Sequence, residues 1–178
     1  VMLEECMEGL DIKADGTYVD LTMGGGGHTS EILRRLGSNG RLYSFDQDPD
    51  AAANAPTDDR FTFVASNFRF VRGAMRLRGV EQVDGILADL GVSSHHFDAK
   101  HRGFSFRGDA LLDMRMNTRG KRTAADIVNS YDKDALARIF SDYGELDTTW
   151  KIANCIERAR SQKLIETTAE LVEAVKPC

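Results

Sequence analysis

Long apolar runs are missing from this 178-residue chain. A helix that spans a bilayer needs about 20 consecutive apolar residues, so a transmembrane segment is excluded, and nothing resembles a signal peptide. Cysteine is scarce as well. Cys6, Cys155 and Cys178 stand far apart without metal-ligand spacing, so no metal site is read, and the three are expected to be small buried hydrophobes or surface thiols. Both absences fit a cytoplasmic protein. Positive charge is also in deficit: 23 Lys and Arg face 28 Asp and Glu, for a net charge of −5. That argues against nonspecific nucleic-acid binding by the whole protein but leaves local patches open. What the chain does have is enough apolar material, 42% of its residues, for one substantial core and a smaller satellite domain.

The densest signal is Thr17-Tyr-Val-Asp20-Leu-Thr-Met-Gly24-Gly25-Gly26-Gly27-His28, a short apolar strand that ends in an acid and runs into four glycines. Glycine loses more conformational freedom on folding than any other residue. Four in a row therefore suit a backbone that turns tightly or lies against something bulky. A helix from Thr29 to Leu36 follows, with Ile32, Leu33 and Leu36 at helical spacing and Gly37 at its end. Arg41 to Phe45 is a second strand leading into Asp46-Gln-Asp-Pro49. An acid roughly 20 residues beyond the glycines, at the end of the neighbouring parallel strand, is placed to accept both hydroxyls of a ribose. Asp46 is the expected ribose ligand.

Two phosphate signatures are absent. The chain has neither Gly-Lys-Ser/Thr nor Gly-x-Gly-x-x-Gly spacing at this loop. Asp20 also precedes the turn, and a carboxylate about 4 Å from a phosphate is repelled by roughly 4 kcal/mol at an effective dielectric near 20. The same charge attracts a sulfonium or an ammonium. S-adenosylmethionine is thus favoured over a dinucleotide, an NAD-linked oxidoreductase remains the alternative, and Asp20 as a helix cap is a third reading.

Further strands are expected at Arg60–Ala65 and Val83–Leu90, with a helix over Phe68–Leu77 between them. The alternation predicts an α/β fold: a parallel, right-handed sheet in the order 3-2-1-4 with helices on both faces. Ligands bind at the carboxyl ends of such strands, where Asp20, Asp46, Asn67 with Phe68, and Asp89 all fall. Residues 1–92 are accordingly assigned to this core. The Val83–Leu90 strand is apolar along most of its length, yet nothing after it supplies a neighbour. Strands of the core are therefore read as absent, with a homodimer or partner chain covering the exposed edge.

Residues 93–178 differ in character. From Ala99 to Arg122 there are seven Lys or Arg against two Asp, interleaved with Phe104 and Phe106. Such a mixture suits single-stranded nucleic acid, with Arg102, Arg107, Arg115 and Arg119 on phosphates and the aromatic faces on bases. A solvated charged loop with both Phe in the core is the competing reading. Four helical stretches follow. Thr123 with Asp126 and Thr167 with Glu170 resemble capping boxes, and Asp132 resembles an N-cap. Inward stripes are expected at Leu136, Ile139, Phe140 and Tyr143, at Ile152, Ala153 and Ile156, and at Leu171, Val172 and Val175.

Six motifs in order, Tyr18-Val-Asp-Leu-Thr-Met-Gly-Gly-Gly-Gly-His28, Phe45-Asp-Gln-Asp-Pro49, Asp84-Gly-Ile-Leu-Ala-Asp-Leu-Gly-Val-Ser-Ser94, Arg102-Gly-Phe-Ser-Phe106, Leu112-Asp-Met-Arg-Met116 and Tyr143-Gly-Glu145, resemble the MraW/RsmH family of bacterial 16S ribosomal RNA cytosine-N4 methyltransferases. The resemblance implies a Rossmann-like S-adenosylmethionine-dependent methyltransferase sheet interrupted by a helical inserted domain. It implies cofactor contacts at Gly26, Gly27, His28, Asp46, Phe68 and Asp89, to which the residue-level reading adds Asp20 and Gly24. His96 stands where the family usually has Gln, so its contact is an expectation by position alone. The implied partner is 16S rRNA in the small ribosomal subunit, and Asp89 is the candidate for a group that faces both cofactor and base. A shortened chain that binds cofactor or RNA without turnover is the non-enzymatic alternative.

Overall fold

The structure is a computed structural model that describes residues 2–178. It divides into two compact units, one ending at Ser93 and the other beginning at Ser94. In the first, β1 (Thr17–Asp20), β2 (Arg41–Asp46), β3 (Phe61–Ala65) and β4 (Gly85–Leu87) form one sheet. All pairs are parallel and the order is β3-β2-β1-β4, as the strand alternation predicts. The side-chain period of two then divides the sheet into faces. Tyr18, Leu42 and Leu87 pack with Met7 of α1 (Leu3–Leu10) and with Ile32 and Leu33 of α2 (Gly27–Arg35). Val19, Phe45 and Val64 pack on the opposite side with Met75 of α3 (Val71–Arg76). Each of these fully buried side chains contributes about 1.5–3 kcal/mol by leaving water.

Several local expectations need correction. Helix α1 was not anticipated, although Leu3, Cys6, Met7 and Leu10 fall on one helical face. Gly37 does not end α2 with a left-handed turn. It is glycine because a Cβ there would sit 3.2 Å from both the Cβ and the carbonyl oxygen of Ala14. The helix expected from Phe68 begins as a 3-10 turn, Phe68–Phe70, and its buried residue is Met75, with Phe70 and Leu77 exposed. Strand β4 is three residues long, shorter than the Val83–Leu90 expectation, because its partner β1 ends at Asp20. The last backbone bond between them runs from the Leu21 amide to the Leu87 carbonyl, 2.9 Å. Ile86, on the face that α3 serves, is half exposed. Gly85 permits a close approach: a Cβ there would lie 2.9 Å from the Tyr18 ring. The Tyr18 hydroxyl in turn accepts the Lys13 amide at 2.8 Å.

The second unit is helical, with α4 (Ser94–Asp98), α5 (Ala124–Ser130), α6 (Lys133–Asp142), α7 (Thr149–Arg160) and α8 (Thr168–Val175). Leu112, Val128, Leu136, Ala153, Ile156 and Ile165 form its core. Both capping boxes form, and Asp132 accepts the Ala135 amide. Arg160 gives one guanidinium nitrogen to the carbonyls of Val128 and Tyr131 at the end of α5. Asn129 reads the Ile165 backbone with both ends of its amide. Tyr143 and Val172, expected inward, are exposed. Cys155 of α7 and Cys178, beyond the end of α8, are joined in a disulfide, which corrects the expectation that all three cysteines stay thiols; sequence spacing does not reveal which segments bring two sulfurs together. Among the described residues no helix is long and apolar enough to cross a membrane.

Candidate functional site

The carboxyl ends of the four strands bring the glycine loop, the β2 acid, Asn67 with Phe68, and Asp89 into the first unit. The loop is fixed from two sides. Asp46 Oδ2 accepts the Gly24 amide at 2.8 Å, and Asn54 Nδ2 donates to the Gly24 carbonyl at 3.0 Å. Gly24 and Gly26 have φ of 48° and 78°, a left-handed backbone that side chains with a Cβ rarely adopt. Their glycine identity is explained by the turn. Gly25 and Gly27 have no such φ, and a Cβ on either would meet nothing within 4 Å. At those two positions the absent side chain leaves room over the backbone for a ligand.

Loop amides decide which ligand suits the room. The Gly24 amide is held by Asp46, and the Gly26 amide by the Met23 carbonyl at 2.8 Å. A phosphate cradle needs such amides turned outward, and these two are turned inward instead. Acceptors, by contrast, remain. Asp46 also accepts the Asp48 amide, 2.8 Å, through Oδ1. A carboxylate has about four lone-pair sites, so two bonds leave capacity for ribose hydroxyls. Asp89 is exposed. Its backbone amide donates to Thr22 Oγ1 at 2.8 Å. These residues fit a cationic adenosyl ligand.

Asp20 does not stand on the rim. It is fully buried, with Oδ1 on the Thr22 amide at 3.0 Å and Oδ2 on the Thr29 hydroxyl at 2.8 Å. The Thr29 hydroxyl lies 2.7 Å from the Ser44 hydroxyl, so three strand and helix residues share one interior network. Burial pushes the Asp20 carboxyl above its ordinary value, opposed by the Thr22 and Thr29 hydrogen bonds and the nearby His28. The expectation of a direct cofactor contact is corrected: Asp20 ties β1 to α2 through the Thr29 side chain, and it is not the helix cap either, since Gly26 holds that position without a side-chain cap bond. His28 is buried in the first turn of α2, which leaves little of its ring for a ligand. Phe68 remains open, 38% exposed, and Asn67 beside it donates to Gln47 Oε1 at 2.8 Å.

The basic segment of the second unit sorts its cations. Arg102 is 3% exposed and donates to the carbonyls of Arg115 and Met116, 2.8 and 3.0 Å. Arg115 forks onto Asp113 and reaches the Gly120 carbonyl at 2.7 Å. Both are internal struts, which corrects their assignment to RNA. Phe104 is half-buried with its ring 4.8 Å from that of buried His96. The burial of His96 leaves little of its ring for a cofactor, while Phe104 keeps part of its surface open. Phe106 is 80% exposed, and Arg107 and Arg119 are also exposed. A groove between α6 and α7, lined by Asp134, Arg138, Ser141, Asp142 and Trp150, holds mixed charge and contains none of the expected residues. The residues that sequence reasoning missed are Thr22, Thr29, Ser44 and Asn54; of these only Thr22, two places after Asp20, lay inside a motif already singled out.

The MraW methylase family matches residues 1–178. The chain belongs to that family. Curated relatives within it carry the name ribosomal RNA small subunit methyltransferase H. The protein of that name from Parabacteroides distasonis is 61% identical over 178 residues, 99% of this chain and 58% of that protein. Those from Bacteroides thetaiotaomicron and Flavobacterium johnsoniae are 56% and 55% identical, again over 99% of this chain and 58% of theirs. The chain thus spans less than two thirds of the length of these MraW relatives.

Proposed function

We propose that this chain contributes the cofactor site and an RNA-contacting surface to a cytoplasmic enzyme that methylates N4 of a cytidine in the 16S rRNA of the small ribosomal subunit, at the decoding centre, with S-adenosylmethionine as donor. The observation that carries the proposal is the glycine loop, whose Gly25 and Gly27 stand open while the amides of Gly24 and Gly26 are held internally. Membership of a methylase family and the relatives' names support it.

In this reading Asp46 accepts the ribose hydroxyls, Gly26 and Gly27 let the adenosyl group lie against backbone, and Phe68 offers apolar surface. When bound, S-adenosylmethionine supplies an electrophilic methyl group on a cationic sulfur. An exocyclic cytosine amine is a poor nucleophile because its lone pair is delocalised into the ring. Asp89 would accept one N–H of that amine, localising the lone pair toward the donor's methyl carbon, and would take the proton that the nitrogen must shed once its new N–C bond replaces the donor's C–S bond. The rate gain then comes from alignment and preorganised charge rather than from a covalent enzyme intermediate. Phe106 and Arg107, with Arg119, serve a base pulled out of its stack and its flanking phosphates.

Gly27→Ala tests the donor half. Its Cβ meets no protein atom, so unfolding by denaturant should match the unsubstituted protein while S-adenosylmethionine affinity in calorimetry falls at least tenfold. NADH binding without S-adenosylmethionine binding would instead revive the oxidoreductase. For the RNA half, the double change Arg107→Glu with Arg119→Glu should weaken binding to small subunits and leave donor affinity untouched; equal loss of both would end the division of labour.

A further inference from the structure

We infer that Thr22 is a positioning residue that sets the place of Asp89, an inference that rests on the methyl-transfer reading above. Asp89 lies beyond the end of β4, where the ladder to β1 has stopped at the Leu21 amide and the Leu87 carbonyl. From there the Asp89 amide donates to Thr22 Oγ1 at 2.8 Å, tying the segment after β4 to the turn that follows β1. Thr22 itself is anchored. Its amide donates to Asp20 Oδ1, Asp20 Oδ2 accepts the Thr29 hydroxyl, and that hydroxyl meets Ser44. The connected bonds run from the interior of β2, through α2 and the end of β1, to the backbone of the exposed acid. The Asp20–Thr29–Ser44 part of this network is buried and satisfied, which makes it stiff, and half-buried Thr22 carries it outward to the exposed Asp89 amide. The Thr22 hydroxyl is also the acceptor, so its loss leaves the Asp89 amide without that partner and the acid free to drift. Displacement of a reacting group by about 1 Å can lower a rate by a factor of ~100.

The test uses the full-length protein with small ribosomal subunits as substrate. Thr22→Val keeps the shape and removes the acceptor, whereas Thr22→Ser keeps it. Thr22→Val should lower kcat for methyl transfer at least tenfold, with KM for the subunits changed less than threefold and the unfolding midpoint unchanged. Thr22→Ser should restore kcat to within about threefold. Because Thr22 is argued to act through Asp89, adding Thr22→Val to an Asp89→Asn protein should produce no further loss, whereas two independent sites would multiply their losses. Multiplied losses, no loss from Thr22→Val, or failure of Thr22→Ser to rescue would each overturn the assignment. If calorimetry finds that the unsubstituted protein binds no S-adenosylmethionine, the proposed function falls and this assignment falls with it; if it does bind and the losses multiply, only this assignment falls.

Discussion

The two units place their polar groups differently. In the sheet unit, Asp20, Thr29 and Ser44 carry hydrogen-bonding groups into the interior and bond one another there. In the helical unit, the polar groups that matter complete backbone: Thr123, Asp132 and Thr167 serve helix starts, Arg160 serves a helix end, and Asn129 reads a loop. Interior polar groups carry a desolvation cost unless every partner is present. Their presence under the glycine loop makes sense where geometry has to be held to fractions of an ångström. Helix-end groups operate at the surface and stabilise an element without aiming anything. The contrast separates a unit built to hold a site from a unit built to hold a shape and present a surface.

The largest expected effect tests whether the cores are separate in this sense. Ile156→Ala empties a fully buried position of the helical core and should cost about 2–5 kcal/mol in denaturant unfolding. Amide exchange should accelerate across α5 to α8 more than across β1 to β3. Equal acceleration in both would break the comparison. Next come the two classes of arginine. Arg102→Ala removes the donor for two carbonyls and should cost roughly 2–3 kcal/mol, while Arg107→Glu at an exposed site should stay within about 0.5 kcal/mol of the unsubstituted protein. If both cost the same, the sorting of cations into struts and contacts is wrong. Thr123→Ala and Thr167→Ala should each remove about 1 kcal/mol of helix capping, read as lower unfolding midpoints with unchanged donor affinity.

The smallest effect sharpens the comparison from the sheet side. The folded Asp20 carboxyl titrates above its ordinary value because burial disfavours its charge. A raised folded value means that the protonated group favours the fold, so its contribution is fully present below the unfolded value and is lost as pH rises through the folded one. Stability of the unsubstituted protein relative to Asp20→Asn should therefore improve as pH falls across that window. A difference independent of pH would mean that Asp20 keeps its ordinary titration, and the buried-charge account would have to go.

Sequence reasoning reached the sheet order, the four strands and both capping boxes because each rests on signals within a few residues: apolar periodicity, an acid at a strand end, Thr followed by Asp or Glu three places on. The placement of the candidate site residues was legible for the same reason. Gly24, Gly26, Asp46 and Asp89 stand at positions the strand-turn-helix pattern marks out. What escaped depends on partners distant in sequence. Asp20 read as a rim charge because its acceptor bonds to Thr29, nine residues on, cannot be seen from spacing. Arg102 and Arg115 read as phosphate ligands because charge counting cannot tell a guanidinium that holds carbonyls from one in solvent. Strand β4 read too long because its apolar residues continue past the point where β1 stops.

Gly85 shows how a three-residue strand can still hold a position that admits no side chain. The ring of Tyr18 occupies the space that any side chain there would need, and the phenol oxygen receives the Lys13 amide. One added methyl group on β4 would crowd the aromatic that anchors the turn leading into β1. Tolerance to mutation here follows what each atom displaces.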